Sequence, residues 1–210
     1  LYIDKNYTKP LIIKPLLILD LDETLIHASE TLLDFEADFR LPPYYYVYQR
    51  PYLSDFLNFC NKHFELAIWS SASEDYVNAI VQKILPPNIF LQFVWSRKRC
   101  TPKFLLYRDS LGRYNLDYPS SYQYLKQLKK VRRLGYDLKK VLIVDDTPTK
   151  VMNYYGNAIY IKEFRGEQDD LELLKLSHYL LKLRDVENVR SIEKRGWSEN
   201  IILDGLGLNY

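Results

Sequence analysis

Two aspartates two residues apart, Asp20 and Asp22, follow directly on the apolar run Leu16-Leu17-Ile18-Leu19. In extended backbone, residues two apart point the same way, so both carboxylates face one site. Carboxylates that close repel at neutral pH and need a cation or a shared proton. Two further apolar runs end in polar residues of a matching kind. Phe64 to Trp69 ends at Ser70, and Val141 to Val144 ends at Asp145-Asp146. With Asp146, the first two aspartates offer hard oxygen ligands that suit Mg2+, which keeps several waters and takes few protein oxygens. An isolated Asp-x-Asp reads equally well as a capped turn, because Asp is common at strand ends and helix N-caps. Three polar strand ends in one chain favour a shared, metal-assisted site.

Such convergence requires a parallel sheet, in which strand C-termini line one edge and ligands bind there. The order of elements supplies it, since strand and helix alternate along the chain. Short continuous apolar runs such as Leu16 to Leu19 fit strands buried on both faces. Phe90 to Trp95 and Ala158 to Ile161 are weaker strand candidates. A helix opens at Arg50-Pro51, with Leu53, Phe56, Leu57 and Cys60 at helical spacing. Glu74 to Ile84 forms a second, stopped by Pro86-Pro87. Tyr122 to Leu134 is expected as a third, closed by Gly135. Asp169 to Leu183 is expected as a fourth, with Leu171, Leu174, His178 and Leu181 on one face.

Two stretches break the alternation. Residues 28–49, with Phe35, Phe39 and Tyr44-Tyr45-Tyr46-Val47-Tyr48, read as a small β insertion. Residues 98–120 are polar and contain Pro and a turn at Gly112, so they read as a loop or second insertion. The tail from Ser191 reads as a short strand or coil. The expectation is one α/β domain over 1–210, a length that suits a single domain with insertions.

Composition narrows the function class. The apolar fraction of 47% supports a buried core, and a net charge of +2 is too small to argue for nucleic acid or an anionic membrane. The two cysteines, Cys60 and Cys100, have no metal-ligand spacing and are expected as reduced thiols. No apolar run reaches the ~18 residues of a membrane span. Lys5, Lys9 and Lys14 interrupt any signal-like apolar stretch. The expected setting is intracellular, cytoplasmic or nuclear.

The segment DLDETLIH at 20–27 resembles the first motif of haloacid dehalogenase phosphatases. It resembles in particular the branch of RNA polymerase II C-terminal-domain phosphatases, the FCP/SCP type. ADFRLPPYYYVYQRPYLSDFL resembles that branch's small insertion and Arg-Pro helix, IWSSAS its second motif and VLIVDDTP its fourth. The resemblance implies a Rossmann-like three-layer fold, bound Mg2+ and hydrolysis through an aspartyl phosphate.

It also implies roles. Asp20 matches the nucleophile, and Asp22 the general acid/base whose backbone carbonyl also ligates the metal. Asp146 matches the third metal ligand, supported by Asp145. Asp-Asp stands here where some relatives have Asp-Asn, an added charge expected to tighten Mg2+. Ser70 matches the hydroxyl that holds a phosphate oxygen, with Ser71 as its neighbour and alternative. Lys126, in Lys-Gln-Leu, matches the lysine that neutralises the phosphorylated state, and Lys129 is the alternative by spacing. Thr24 is expected to fix the first loop through its hydroxyl, and His27 to make a structural hydrogen bond. Arg97 and Cys100 resemble an Arg-x-x-Cys pattern. Arg97 would bind a substrate phosphate or hold its loop, while Cys100 lacks a nearby His and is not expected as a nucleophile.

A short insertion in place of a large cap implies an open site. The resemblance implies phosphoserine or phosphothreonine in a protein or peptide as substrate, with the chain acting as a monomer. The Tyr-rich insertion would grip Pro-rich peptide or simply pack on the core. Two other readings remain, a phosphatase of small metabolites and a non-catalytic binding member of the family.

Overall fold

The computed structural model describes residues 14–104, 122–199 and 201. In chain order the first elements are β1 (Leu16–Leu19), β2 (Ile26–Ser29), β3 (Phe39–Leu41), β4 (Tyr45–Gln49) and helix α1 (Leu53–His63). Then come β5 (Glu65–Trp69), α2 (Glu74–Ile84), β6 (Leu91–Trp95), β7 (Thr101–Phe104) and β8 (Tyr122–Leu125). A short α3 (Lys129–Arg132), β9 (Val141–Asp145), β10 (Ala158–Tyr160) and α4 (Glu172–Arg184) complete the set. A 3-10 stretch, Pro148–Asn157, links β9 to β10.

Five strands form the central sheet in the order β10-β9-β1-β5-β6, all parallel. The expected α/β architecture with a central parallel sheet is therefore present. Strand β1 lies in the middle, and all four of its residues are fully buried. Alternation assigns them to two cores. Leu17 and Leu19 join Phe56 of α1, Ile80 of α2 and Leu180 of α4 on one face. Leu16 and Ile18 join Trp69, Trp95 and Val131 on the other. A strand that meets apolar layers on both sides has no use for polar alternation, which is why β1 and β9 read as unbroken apolar runs.

The small insertion is a three-stranded antiparallel sheet, β2-β4-β3. Val47 and Tyr48 are buried in it, and Tyr45 packs against the main core. Packing on the core is thus one use of its aromatic residues, although Tyr44 stays exposed. Among the described residues no helix is long and apolar enough to cross a membrane.

Three expectations are corrected. The helix expected over Tyr122 to Leu134 is instead a strand, Tyr122–Leu125, followed by the single turn of α3. Tyr122 to Leu125 pair with Phe104 to Thr101 in an antiparallel ladder. That distant partner overrides the local helical spacing, which survives only in the buried pair Leu128 and Val131. Gly135 does close the turn, at φ 100°, with its N–H donated to the Arg132 carbonyl at 3.0 Å. The same ladder makes a strand of Thr101–Phe104 within the expected loop insertion; residues 105–121 lie outside the described residues.

The fourth helix buries Leu173, Leu176, Leu180 and Leu183, while Leu171 and Leu181 are exposed. The segment LELLKLSHYLLKL carries two apolar stripes, and the sheet takes the one that periodicity alone does not single out. The tail forms no strand among the described residues. Trp197 anchors it, donating its indole N–H to the Tyr160 carbonyl at 2.7 Å and stacking on Tyr179.

One buried ion pair ties the loops near the sheet edge together. Arg50 donates Nε to Asp170 Oδ1 at 2.9 Å and a terminal nitrogen to Oδ2 at 2.8 Å. It also donates to the carbonyls of Thr24 and Lys162. Burial pushes the Asp170 carboxyl up, but the Arg50 hydrogen bonds and charge outweigh that and hold it below the usual carboxylate range. A depressed carboxylate contributes stability above its unfolded pKa and loses it as the pH falls through the folded value. Asp170→Asn is expected to cost about 3–5 kcal/mol in urea unfolding at pH 7. The gap from wild type should shrink as the pH falls below about 4, the unfolded value, and on through the lower folded value of Asp170.

Candidate active site

The site follows from strand register. Leu19 of β1 pairs with Val144 of β9 and with Ile68 of β5. The next residue along β1 and β9 is therefore Asp20 beside Asp145, and Ser70 follows Trp69 at the same edge. The Asp20 N–H is donated to the Val144 carbonyl at 3.0 Å, and the Ser70 N–H to the Trp95 carbonyl at 2.9 Å. Asp20, Ser70 and Asp145 are all buried.

Lys126 enters this edge from the end of β8. Its Nζ lies 3.0 Å from Asp20 Oδ1 and donates to Asp145 Oδ2 at 2.6 Å, with the side chain fully buried. Its backbone N–H is donated to the Lys150 carbonyl at 2.8 Å. Lys129 opens α3 and is exposed, so of the two candidate lysines the structure brings Lys126 to the carboxylates. The strand that displaced the expected helix is what aims it there.

Asp22 sits two residues beyond Asp20 and accepts hydrogen bonds from the Ser70 hydroxyl at 3.3 Å and from the Tyr76 hydroxyl. Ser70 Oγ in turn accepts the Ala72 N–H at 3.0 Å. Ser71 contributes its carbonyl instead, which accepts Arg97 Nε at 2.7 Å. Arg97 thus holds this loop with one nitrogen and also lines the cleft beside Asp22. Cys100 is buried with Sγ 3.9 Å from the Ser70 carbonyl, and burial pushes its thiol up, away from thiolate chemistry.

The turn after Asp22 is held by backbone. Glu23 takes a positive φ of 56° and donates its N–H to the Ile26 carbonyl at 2.8 Å. His27 Nδ1 lies 3.2 Å from Glu23 Oε1, the expected structural contact. Thr24 departs from expectation. Its hydroxyl is buried without a hydrogen-bond partner among the described residues, while its N–H and carbonyl bond Leu21 and Arg50. The loop is fixed through the Thr24 backbone.

Carboxylate oxygens of Asp20, Asp145 and Asp146 lie within 4.8 Å of one another. The Asp22 side chain is not in that trio and faces Ser70 and Tyr76. Asp146 Oδ2 accepts the Thr147 hydroxyl at 2.8 Å, whereas the buried Oδ1 has no hydrogen-bond partner among the described residues. Four carboxylates here face two ammonium groups, Lys126 and Lys150. A buried oxygen without a hydrogen bond and surplus negative charge fit a hard divalent cation such as Mg2+.

The electrostatics split the aspartates. Burial pushes Asp20 up, but Lys126 and Lys150 outweigh it and hold the carboxylate ionised. Burial also pushes Asp22 up. The Tyr76 hydrogen bond opposes this, the charge of Asp20 adds to it, and the net shift is upward. The two neighbouring carboxyls are thus shifted in opposite directions, Asp20 down and Asp22 up. Beside Asp22 opens a cleft of about 350 Å3 lined by Glu23, Tyr45, Ser73, Tyr76 and Arg97.

Sequence reasoning did not find Lys150 or Tyr76. Lys150 lies four residues after Asp146 on the 3-10 stretch, and its Nζ donates to Asp20 Oδ2 at 3.1 Å. Tyr76 lies in the first turn of α2, three residues past the IWSSAS motif's Ala72-Ser73 boundary. Because the Tyr76 hydroxyl favours ionised Asp22, Tyr76→Phe should raise the Asp22 pKa, read as an upward shift in the carboxyl carbon NMR titration.

Residues 15–190 match the family model described as NLI interacting factor-like phosphatase. The chain is 32% identical over 192 residues to CTD small phosphatase-like protein 2 of Dictyostelium discoideum, covering 89% of this chain and 30% of that one. It is 30% identical to a probable C-terminal domain small phosphatase of the same organism, covering 84% and 53%. It is also 30% identical to CTD nuclear envelope phosphatase 1B of Danio rerio, covering 87% and 72%. The chain thus spans 30% and 53% of the two Dictyostelium relatives' lengths. The match across most of the described residues, with the carboxylates gathered at one sheet edge, establishes that this chain belongs to the NLI interacting factor-like phosphatase family.

Proposed function

We propose that the chain is a Mg2+-dependent phosphatase that hydrolyses phosphoserine or phosphothreonine on protein substrates through a phosphorylated Asp20. The observation that carries this reading is the pair at the end of β1: a buried, lysine-flanked Asp20 beside an Asp22 whose proton affinity is raised. Family membership supports the reaction class, and the names of the relatives supply the substrate class by analogy. Relatives named for the nuclear envelope support an intracellular setting.

In this reading an Asp20 oxygen attacks phosphorus, and the bond from phosphorus to the serine or threonine oxygen breaks. Asp22 gives its proton to the leaving oxygen. Water then attacks the phosphorylated aspartate, Asp22 takes up its proton, and phosphate leaves. Dividing the hydrolysis this way replaces one difficult step with two easier ones. Lys126 neutralises charge gathering beside Asp20, and its burial removes the need to reorganise at that moment. Ser70 offers its hydroxyl to a phosphoryl oxygen. Asp20, Asp146 and the Asp22 carbonyl would hold Mg2+, with Asp145 in support. The bound ion would supply Lewis-acid stabilisation of the phosphoryl oxygens.

Among the described residues the cleft beside Asp22 is open, as a phosphorylated side chain on a protein requires. Tyr45 from the inserted sheet forms part of its wall, so the insertion shapes the entrance.

The direct test is hydrolysis of an aryl phosphate in Mg2+ and in EDTA, by wild type and Asp20→Asn. Turnover should need the metal and fall at least about a thousandfold in the variant. Activity surviving both treatments would sink the Asp20 mechanism. A phosphoserine peptide panel set against small phosphoesters decides the substrate, and strong preference for one small phosphoester would favour a metabolite phosphatase.

A further inference from the structure

Lys150 reaches into the carboxylate cluster that could hold a metal ion. Its Nζ lies 3.1 Å from Asp20 Oδ2, 3.8 Å from Asp145 Oδ1 and 3.6 Å from Asp146 Oδ1. Those are the three carboxylates whose oxygens cluster within 4.8 Å. The contact to Asp146 reaches the buried oxygen that lacks a hydrogen bond.

The two oxygens of Asp20 are differently committed. Oδ1 accepts the Leu21 N–H at 2.9 Å and lies 3.0 Å from Lys126. Oδ2 is covered by Lys150. Ligation of a metal or attack on phosphorus by Oδ2 competes with the Lys150 ammonium for that oxygen.

The two lysines differ in their freedom to withdraw. Lys126 is fully buried, whereas the Lys150 side chain is 19% exposed and has a route to water. The Lys150 backbone is pinned, with its N–H on the Thr147 carbonyl at 3.0 Å and its carbonyl on the Lys126 N–H at 2.8 Å. Withdrawal is therefore a rotation of a long, flexible side chain about a fixed backbone, which disturbs no secondary structure.

We propose that Lys150 is a resident cation of the metal-free site, which a divalent ion must displace and which then lies free at the mouth of the cleft. The charge stabilises the empty site by holding together carboxylates that would otherwise repel, and it weakens metal binding by competition. Displacement frees Asp20 Oδ2 and leaves an ammonium group where a phosphoryl group arrives. This inference rests on the metal-dependent reading above.

Two measurements test it without reference to turnover. Calorimetric titration with Mg2+ should show at least about tenfold tighter binding by Lys150→Met than by wild type, since the competing state is removed. The variant should melt lower than wild type in EDTA, and the gap should close in saturating Mg2+. In wild type, amine-reactive labelling read by mass spectrometry at Lys150 should accelerate when Mg2+ is added, a readout that does not depend on the variant folding. Equal Mg2+ affinities, or labelling indifferent to Mg2+ in a protein that binds it, would overturn the inference and leave the metal-dependent reading standing. Failure of both proteins to bind Mg2+ would overturn both.

Discussion

Repulsion among carboxylates at the end of a fully buried strand is the constraint around which this chain is arranged. Two carboxylate oxygens within 4.8 Å oppose each other by about 3.5 kcal/mol or more at an effective dielectric constant of 20. Strand β1 has apolar layers on both faces, so water cannot relieve that repulsion for Asp20. Relief has to come from the protein. Lys126 is delivered by an extended segment that pairs with β7, and Lys150 by the 3-10 stretch after β9. Each lysine is long enough to reach the edge, and the Lys126 backbone bond to Lys150 joins the two segments that supply them. The site is therefore held by charge balance as well as by packing, and removal of one partner leaves a buried charge exposed to its neighbours.

A second ion pair extends the same logic to the loops. Arg50 reaches the Thr24 carbonyl after β1, the Lys162 carbonyl after β10 and both oxygens of Asp170. The resemblance marked Arg50-Pro51 only as the start of a helix. In the fold Arg50 is a tie between the loop that carries Asp22 and the segment that leads into α4. The turn containing Glu23, with its positive φ, is thus supported from below by a planar group with several donors, a task for which lysine is poorly shaped.

What could be read beforehand divides along contact distance in sequence. Strands β1, β5 and β9 announce themselves because burial on both faces leaves an unbroken apolar run. Helix α2 does so because its amphipathic period and the Pro-Pro stop are local. The segment Tyr122–Leu125 has helical spacing to its C-terminal side, and its true partner, Thr101–Phe104, lies across a long intervening stretch. Propensity had no access to that pairing. Lys126 was reached by motif resemblance despite the wrong element around it. Tyr76 meets a partner 54 residues away with nothing local to mark it, whereas Lys150 meets Asp20 130 residues away and its only local sign is the four-residue spacing from Asp146. The two apolar stripes of α4 show a further limit, since choosing between them requires knowing where the sheet lies.

Tyr76 also links the inserted sheet to Asp22. Its ring meets Tyr45 of β4 edge-on, with centroids 5.8 Å apart, while its hydroxyl reaches Asp22. Any shift of the inserted sheet against α2 alters the wall of the cleft and the hydrogen bond that opposes the effect of burial on Asp22 at the same time. Tyr45 and Tyr76 each pack against the core and also line the cleft, so the two placements are compatible in these tyrosines. An aromatic ring with one polar end suits such a position because its apolar body can be buried while the hydroxyl remains in the site. A short insertion can in this way influence an active site through contact geometry, without the mass of a cap that closes over it.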